Sequence, residues 1–335
     1  MLIGVPKEIK ADEYRVGLTP ESVATLTNGG HQVMVLANAG LGIGKTNEDY
    51  LSAGAEIVAT RGEIFERAEM VIKVKEPQLE ECTLLRQGQI LFTYLHLAPD
   101  PEQTNALVES GVSAIAYESV MAEDQSYPLL TPMSAIAGRL AVQAGASCLE
   151  KVKGGSGILM GGVANVDPAR VVILGGGVVG YNAIEIALGM QANVTVLDKS
   201  ETRLDYLESI FGNNLEAVLA DTESSETFIT AADLLIGAVL VPGASAPKII
   251  SRKVLKKMQP GSVFVDVAID QGGCSETSKP TTHSNPTYVE EGILHYCVSN
   301  MPGAVPLTST YALNQATLPY VKDLANQGLV QALTH

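Results

Sequence analysis

Apolar and polar positions divide this chain into short, unalternating apolar runs separated by amphipathic stretches of helical length. Such runs mark strands that are covered on both faces, as in a parallel sheet. In the first part of the chain they predict strands at 2–5, 32–36, 70–75, 90–96 and 113–118, with a weaker one at 56–59. Helices are expected between them near 49–53, 62–68, 80–86 and 101–110. Another should open at Thr19, where a hydroxyl can cap the first turn and Pro20 takes the first helical position. Regular alternation of strand and helix implies a mostly parallel sheet with helices on both faces.

The second half repeats this grammar, with strands expected at 171–174, 193–197, 217–220, 234–239, 263–267 and 294–298. Residues 133–151, MSAIAGRLAVQAGASCLEK, read as a long helix rich in small residues, suited to crossing between domains. A final amphipathic helix, 311–333, bent at Pro319, has no strand of its own and is expected to return to the first domain. The predicted fold is therefore α/β, with two doubly wound domains of mostly parallel sheet joined by long helices. The first would be discontinuous, 1–130 plus 308–335, and the second would span 131–307.

One stretch adds chemistry to this plan. VVIL (171–174) is followed at once by Gly175, Gly177 and Gly180 in the order G-x-G-x-x-G, then by a helix-length segment and a second strand ending in Asp198. Gly175 permits the tight strand-to-helix turn, Gly177 lets backbone approach a pyrophosphate, and Gly180 lets helix and strand pack closely. The helix N-terminus presents amides to phosphate. Asp198, eighteen residues past Gly180, is placed to accept the ribose hydroxyls and repel a 2′-phosphate, which favours NAD over NADP. This is a Rossmann-like nucleotide domain.

Composition narrows the function classes. With 46% hydrophobic and 18% charged residues over 335 positions, the chain can build two cores. A net charge of −15 without a basic run argues against a nucleic-acid surface. The N-terminus MLIGVPKE lacks the basic-then-apolar pattern of a signal peptide. The most apolar segment, 171–190, contains Asn182, Glu185 and five glycines, so no membrane span is expected. Cys82, Cys148, Cys274 and Cys297 are scattered, as reduced thiols of a cytoplasmic protein would be. His283, His295 and His335 have no ligand-like spacing, and no metal is assigned.

Ligands in doubly wound sheets gather beyond the carboxyl ends of the strands. In the first domain Arg15 lies in the loop after the first strand, Lys75 closes VIKVK and His96 closes LFTYLH. Two cations and a titratable ring would suit a small carboxylate substrate, with Lys75 also able to polarise a carbonyl oxygen. His96 has the intrinsic pKa range of an acid/base group. In SVFVDVAIDQGGC, Asp266 falls inside a strand and reads as a buried structural acid, whereas Asp270 falls beyond it, before two glycines. Histidine and aspartate from opposite domains are expected to close on one substrate.

The motifs GVPKEIKADEYRVGLTP, VIKVKEP, LFTYLHLA, VVILGGGVVG, VDVAIDQGGC, TTHSNPTY and YCVSNMPGAVP together resemble the bacterial L-alanine dehydrogenase family over essentially the full length. That family is also related to the nucleotide-binding subunit of proton-translocating transhydrogenase, the alternative reading. The resemblance implies a cytoplasmic homohexamer that catalyses reversible oxidative deamination of L-alanine to pyruvate and ammonia with NAD. It further implies that Arg15 and Lys75 bind substrate and that His96 and Asp270 are acid/base residues. Cofactor contacts would fall on Ser134, Val178, Val179, Asp198, Arg203, Val239, Leu240, Val267, Ala268, Ile269, Asp270, Lys279, Val298, Ser299, Asn300 and Met301. Ala220 replaces a serine frequent in the family, and the chain stops at His335, so an adenosine contact and the C-terminal packing are expected to differ. The full Arg15, Lys75, His96, Asp270 set argues against transhydrogenation, because nucleotide-to-nucleotide transfer has no carboxylate to grip.

Overall fold

A computed structural model of the chain describes residues 1–239 and 245–334. They form two compact units, Met1–Met133 with Gly303–His335, and Ser134–Pro302.

In the first unit, β1 (Leu2–Val5), β2 (Gln32–Leu36), β3 (Glu56–Val58), β4 (Met70–Ile72), β5 (Ile90–Thr93) and β6 (Ser113–Ala116) form a sheet in the order β3-β2-β1-β4-β5-β6. Every pairing is parallel. The chain builds outward from β1 in one direction, then returns to add β4 on the other side. Loops leaving β1 and β4 diverge at this switch point, where such sheets bind ligands. Met34, Val71 and Leu91 meet Ile64 and Phe65 of the helix Arg61–Arg67 in a buried core. Thr19 caps the helix Pro20–Asn28 as expected, accepting from the Ser22 amide.

Several strands end sooner than expected, β4, β5 and β6 in this unit among them, and at β4 and β5 the reason is the same. Beyond β4 the amides of Val74 and Lys75 donate to Glu8 Oε1, at 2.6 and 3.3 Å. Beyond β5 the amides of Leu95 and His96 donate to Glu118. Side-chain carboxylates take over as acceptors for these amides, and among the described residues only two further backbone bonds, Lys73 N to Phe92 O at 3.2 Å and Tyr94 N to Val74 O at 3.3 Å, join the segments beyond β4.

The last long helix is Pro306–Gln327, starting five residues before the expected position and running on through Pro319 to Gly328, which has φ 76°. The polar LTST of its first turns hid that start. Those residues have a local use: Thr310 Oγ1 lies 3.4 Å from the Val16 amide, and Asn314 bonds Thr19 N at 2.8 Å and Gly17 O at 3.1 Å. The helix thereby braces the loop that carries Arg15. The small-residue helix runs Thr131–Cys148, ending three residues short of its expected end.

In the second unit β7 (Arg170–Leu174), β8 (Asn193–Asp198), β9 (Leu215–Leu219), β10 (Leu234–Gly237), β11 (Val263–Asp266), β12 (Thr287–Glu290) and β13 (Ile293–Tyr296) form a sheet in the order β12-β13-β11-β10-β7-β8-β9. Val171 and Ile173 of β7 pack in one core, Val172 and Leu174 in another, so both faces of the sheet are covered. This explains the absence of polar alternation. All pairings are parallel except β12 with β13, an edge hairpin that the apolar pattern does not reveal. Its turn is Glu291–Gly292, with φ of 53° and 80°, the left-handed pair that suits a two-residue hairpin. Among the described residues no helix is long and apolar enough to cross a membrane.

Candidate active site

The first unit gathers charge at the carboxyl ends of β1, β4 and β5. Arg15 is almost fully buried, and one edge of its guanidinium is held by Glu13, Nε at 2.7 Å and Nη2 at 2.5 Å. Burial works against this cation, but the hydrogen bonds and charge of Glu13 outweigh it and raise its pKa. Arg15 Nη1 lies 3.2 Å from Met133 Sδ. Lys75 is buried with Nζ 3.5 Å from Glu76, which also takes a hydrogen bond from Lys10. Burial would push the Glu76 carboxyl up, yet the charges of Lys75, Lys10 and His96 hold it below the usual carboxylate range. Beneath them Lys73, 0% exposed, bridges Glu8 at 2.8 Å and Glu81 at 3.1 Å.

His96 is half-buried in the left-handed conformation, φ 48°, just past β5. Its ring stacks on Tyr94, centroids 6.0 Å apart, and the Tyr94 hydroxyl donates to Leu129 O. Arg15, Lys75 and His96 thus share one end of one sheet, as their sequence positions predict. Glu8, Glu13 and Glu118, which hold these segments, have no signature in the sequence. Only Glu13, two residues before Arg15, could have been suspected.

In the second unit the predicted cofactor segments follow β7, β8, β10, β11 and β13, all at the carboxyl end of one sheet, and β7 and β10 flank its switch point. Gly175, at φ 100°, makes the turn. Gly177 is the N-cap of the helix Val178–Gly189 and has no side chain to cap it, and among the described residues nothing stands within 4 Å of where a Cβ would be. Val178 is exposed and Val179 buried. This open, amide-lined cradle fits a pyrophosphate.

Asp198 accepts from Gly176 N at 2.7 Å and Ser200 N at 2.9 Å, tying the tip of β8 to the glycine turn. Arg203 donates to Gly176 O at 2.5 Å and lies over the Tyr206 ring. Asp270 is exposed in the short turn Val267–Gln271, its carboxylate receiving the Asn300 amide at 3.2 Å. That bond joins the segment after β11, with Ala268 and Ile269 buried, to the segment Val298, Ser299, Asn300 and Met301 after β13. Asp266 is fully buried, bonded to Ala268 N, Cys274 N and Ser278, as a structural acid would be. Lys279 is exposed and pairs with Glu290 at 3.0 Å. Ser134 and Val239 are half-buried, and Leu240 lies outside the described residues. No group of metal-ligating side chains occurs among the described residues.

The cradle admits a sharp test. A Cβ on Gly180 would stand 1.9 Å from the Gly175 carbonyl oxygen, a backbone atom that cannot step aside without opening the turn. Gly180→Ala is expected to lose about 1–3 kcal/mol of stability and to weaken dinucleotide binding in the same variant. Urea unfolding and a calorimetric titration measure the two; an unchanged affinity would detach Gly180 from the cradle.

Residues 4–137 match the model of the alanine dehydrogenase/PNT N-terminal domain, and residues 141–335 that of the C-terminal domain. The chain is 56% identical over 334 residues to the alanine dehydrogenase of Methanococcus maripaludis, covering 99% of this chain and 90% of the relative. A solved L-alanine dehydrogenase superposes with a TM-score of 0.95 at 54% identity, covering 100% of this chain and 92% of that one. A transhydrogenase from Sinorhizobium meliloti follows at 0.86 and 23% identity, covering 98% and 94%, a likeness of fold alone. Because the first of these relatives is archaeal, the resemblance does not carry the qualifier bacterial. Full-length identity above one half, with both domain models matched in order, establishes that the chain belongs to the alanine dehydrogenase/PNT family.

Proposed function

We propose that this protein catalyses the reversible oxidative deamination of L-alanine to pyruvate and ammonia with reduction of NAD. The observation that carries the reading is 56% identity, over 99% of the chain, to a protein named alanine dehydrogenase. The transhydrogenase alternative rests on fold alone. NAD is favoured over NADP by Asp198, whose carboxylate at the tip of β8 would repel a 2′-phosphate.

A bound nicotinamide dinucleotide would supply the acceptor for the hydride, one proton with two electrons, that leaves the substrate Cα. The chain's residues bind the substrate and move its protons. In this reading the Arg15 guanidinium and the Lys75 ammonium hold the carboxylate and, in the keto acid, the carbonyl oxygen, and much of the acceleration comes from orientation. Glu13 pairs with Arg15 and Glu76 with Lys75, which holds both cations in place. His96 and Asp270 form the acid/base pair that takes the proton from nitrogen and activates the water that adds to the resulting imine carbon. The carbinolamine then collapses to ammonia and pyruvate.

A cytoplasmic homohexamer completes the proposal, on the family resemblance. The direct test is NADH formation with NAD and a panel of amino acids, repeated with NADP. Turnover with alanine and NAD well above that with serine, glycine or 2-aminobutyrate is expected. Absence of alanine turnover overturns the reading, and equal rates with NADP overturn the role of Asp198.

A further inference from the structure

We infer that Glu118 is a positioning residue for His96, holding the imidazole in its working orientation through the backbone rather than by touching the ring. The inference rests on the acid/base reading of His96. Glu118 lies in the turn after β6, next to β5 in the sheet but 22 residues away along the chain. Its Oε1 accepts from the His96 amide at 2.7 Å and from the Leu95 amide at 3.1 Å, and its Oε2 stands 3.2 Å from the latter.

That carboxylate sits where the chain adopts an unusual shape. A left-handed φ of 48° is uncommon for a residue with a side chain and persists when surrounding bonds impose it. Two successive amides converge on one anion, an arrangement that such a backbone turn makes available and a charged acceptor strengthens. The same peptide is clamped from its other side, where Gln103 Nε2 donates to Leu95 O at 3.0 Å. Tyr94 bounds the ring face. Without Glu118 the two amides lose their shared acceptor, the left-handed turn relaxes toward ordinary backbone, and the imidazole moves away from the site it serves.

The prediction separates orientation from folding. Glu118→Ala is expected to lower kcat for alanine by about 100-fold with KM within a few-fold, because Arg15 and Lys75 are untouched. Glu118→Gln keeps an acceptor oxygen and should restore most of the rate. In a double-mutant cycle, Glu118→Ala added to His96→Ala should cost nothing further, since a residue acting only through the imidazole has no effect once the imidazole is gone. Additive losses, or a kcat unchanged in Glu118→Ala, overturn the inference. An equal loss in Glu118→Gln and Glu118→Ala does so too. Wild-type protein assayed in parallel keeps the outcomes distinct: absence of alanine turnover there counts against the proposed reaction, not against Glu118.

Discussion

His96→Ala is expected to lose turnover with alanine by about 10²–10⁴-fold while binding NAD nearly as tightly as the unaltered protein. The split follows from where the parts lie. The imidazole belongs to the loop after β5 in the first unit, whereas the glycine turn, Asp198 and the amides of the helix Val178–Gly189 belong to the second. Removing the ring deletes the proposed proton carrier and the stacking partner of Tyr94, and it leaves Glu13 on Arg15 and Glu76 on Lys75 in place. Steady-state kinetics with a parallel calorimetric titration of NAD reads both quantities. Unchanged turnover would exclude the role of His96, and an equal loss of NAD affinity would mean that the substitution had disturbed more than the acid/base step.

The largest stability effect is expected from Lys73→Met. Lys73 lies at the carboxyl end of β4 between two buried carboxylates, Glu8 and Glu81. Burial pulls its pKa down, but the charges of Glu8 and Glu81 reverse this and leave the ammonium protonated above the ordinary lysine range. Methionine keeps most of the volume and removes the charge, so two carboxylates face each other without a cation. Breaking such a buried arrangement costs about 3–5 kcal/mol, measurable as a fall in the urea midpoint.

The pH dependence has a definite sign. Deprived of Lys73, Glu8 has a folded-state pKa raised above its unfolded one, a shift that burial already imposes on it with Lys73 present. Groups raised in this way contribute stability below the unfolded value and lose it as pH rises through the folded one. The deficit of Lys73→Met should therefore be smallest near pH about 4 and widen toward neutrality. A uniform deficit at all pH values would point to packing instead. Because Glu8 also receives the Val74 and Lys75 amides, the variant should raise KM for alanine as well.

Several features were legible in the residues alone. β1, β2 and the helix Pro20–Asn28 follow from apolar runs, a threonine cap and a proline at the first helical position. The glycine turn and Asp198 follow from the steric demands of a strand-to-helix corner, which act within a few residues. Even the buried role of Asp266 could be read from its place inside an apolar strand. The true ends of β4 and β5, the strand Thr287–Glu290 that pairs antiparallel with the expected Ile293–Tyr296, and the early start of the helix Pro306–Gln327 were not legible. Each is decided by a bond from elsewhere in the chain or by polar residues that resemble loop.

The division has one physical origin. Periodicity, capping and turn sterics are local, so the sequence by itself determined the β/α alternation, the nucleotide cradle and the placing of Arg15, Lys75 and His96 at strand ends. Charge pairing is not local: any of 37 acidic residues could have met those cations and that loop. Parallel strands bring together loops that are far apart along the chain, and only that neighbourhood selected Glu8 for Lys73, 65 residues away, and Glu118 for the backbone of His96. The tertiary structure therefore decided which carboxylate holds each working group, and in what conformation.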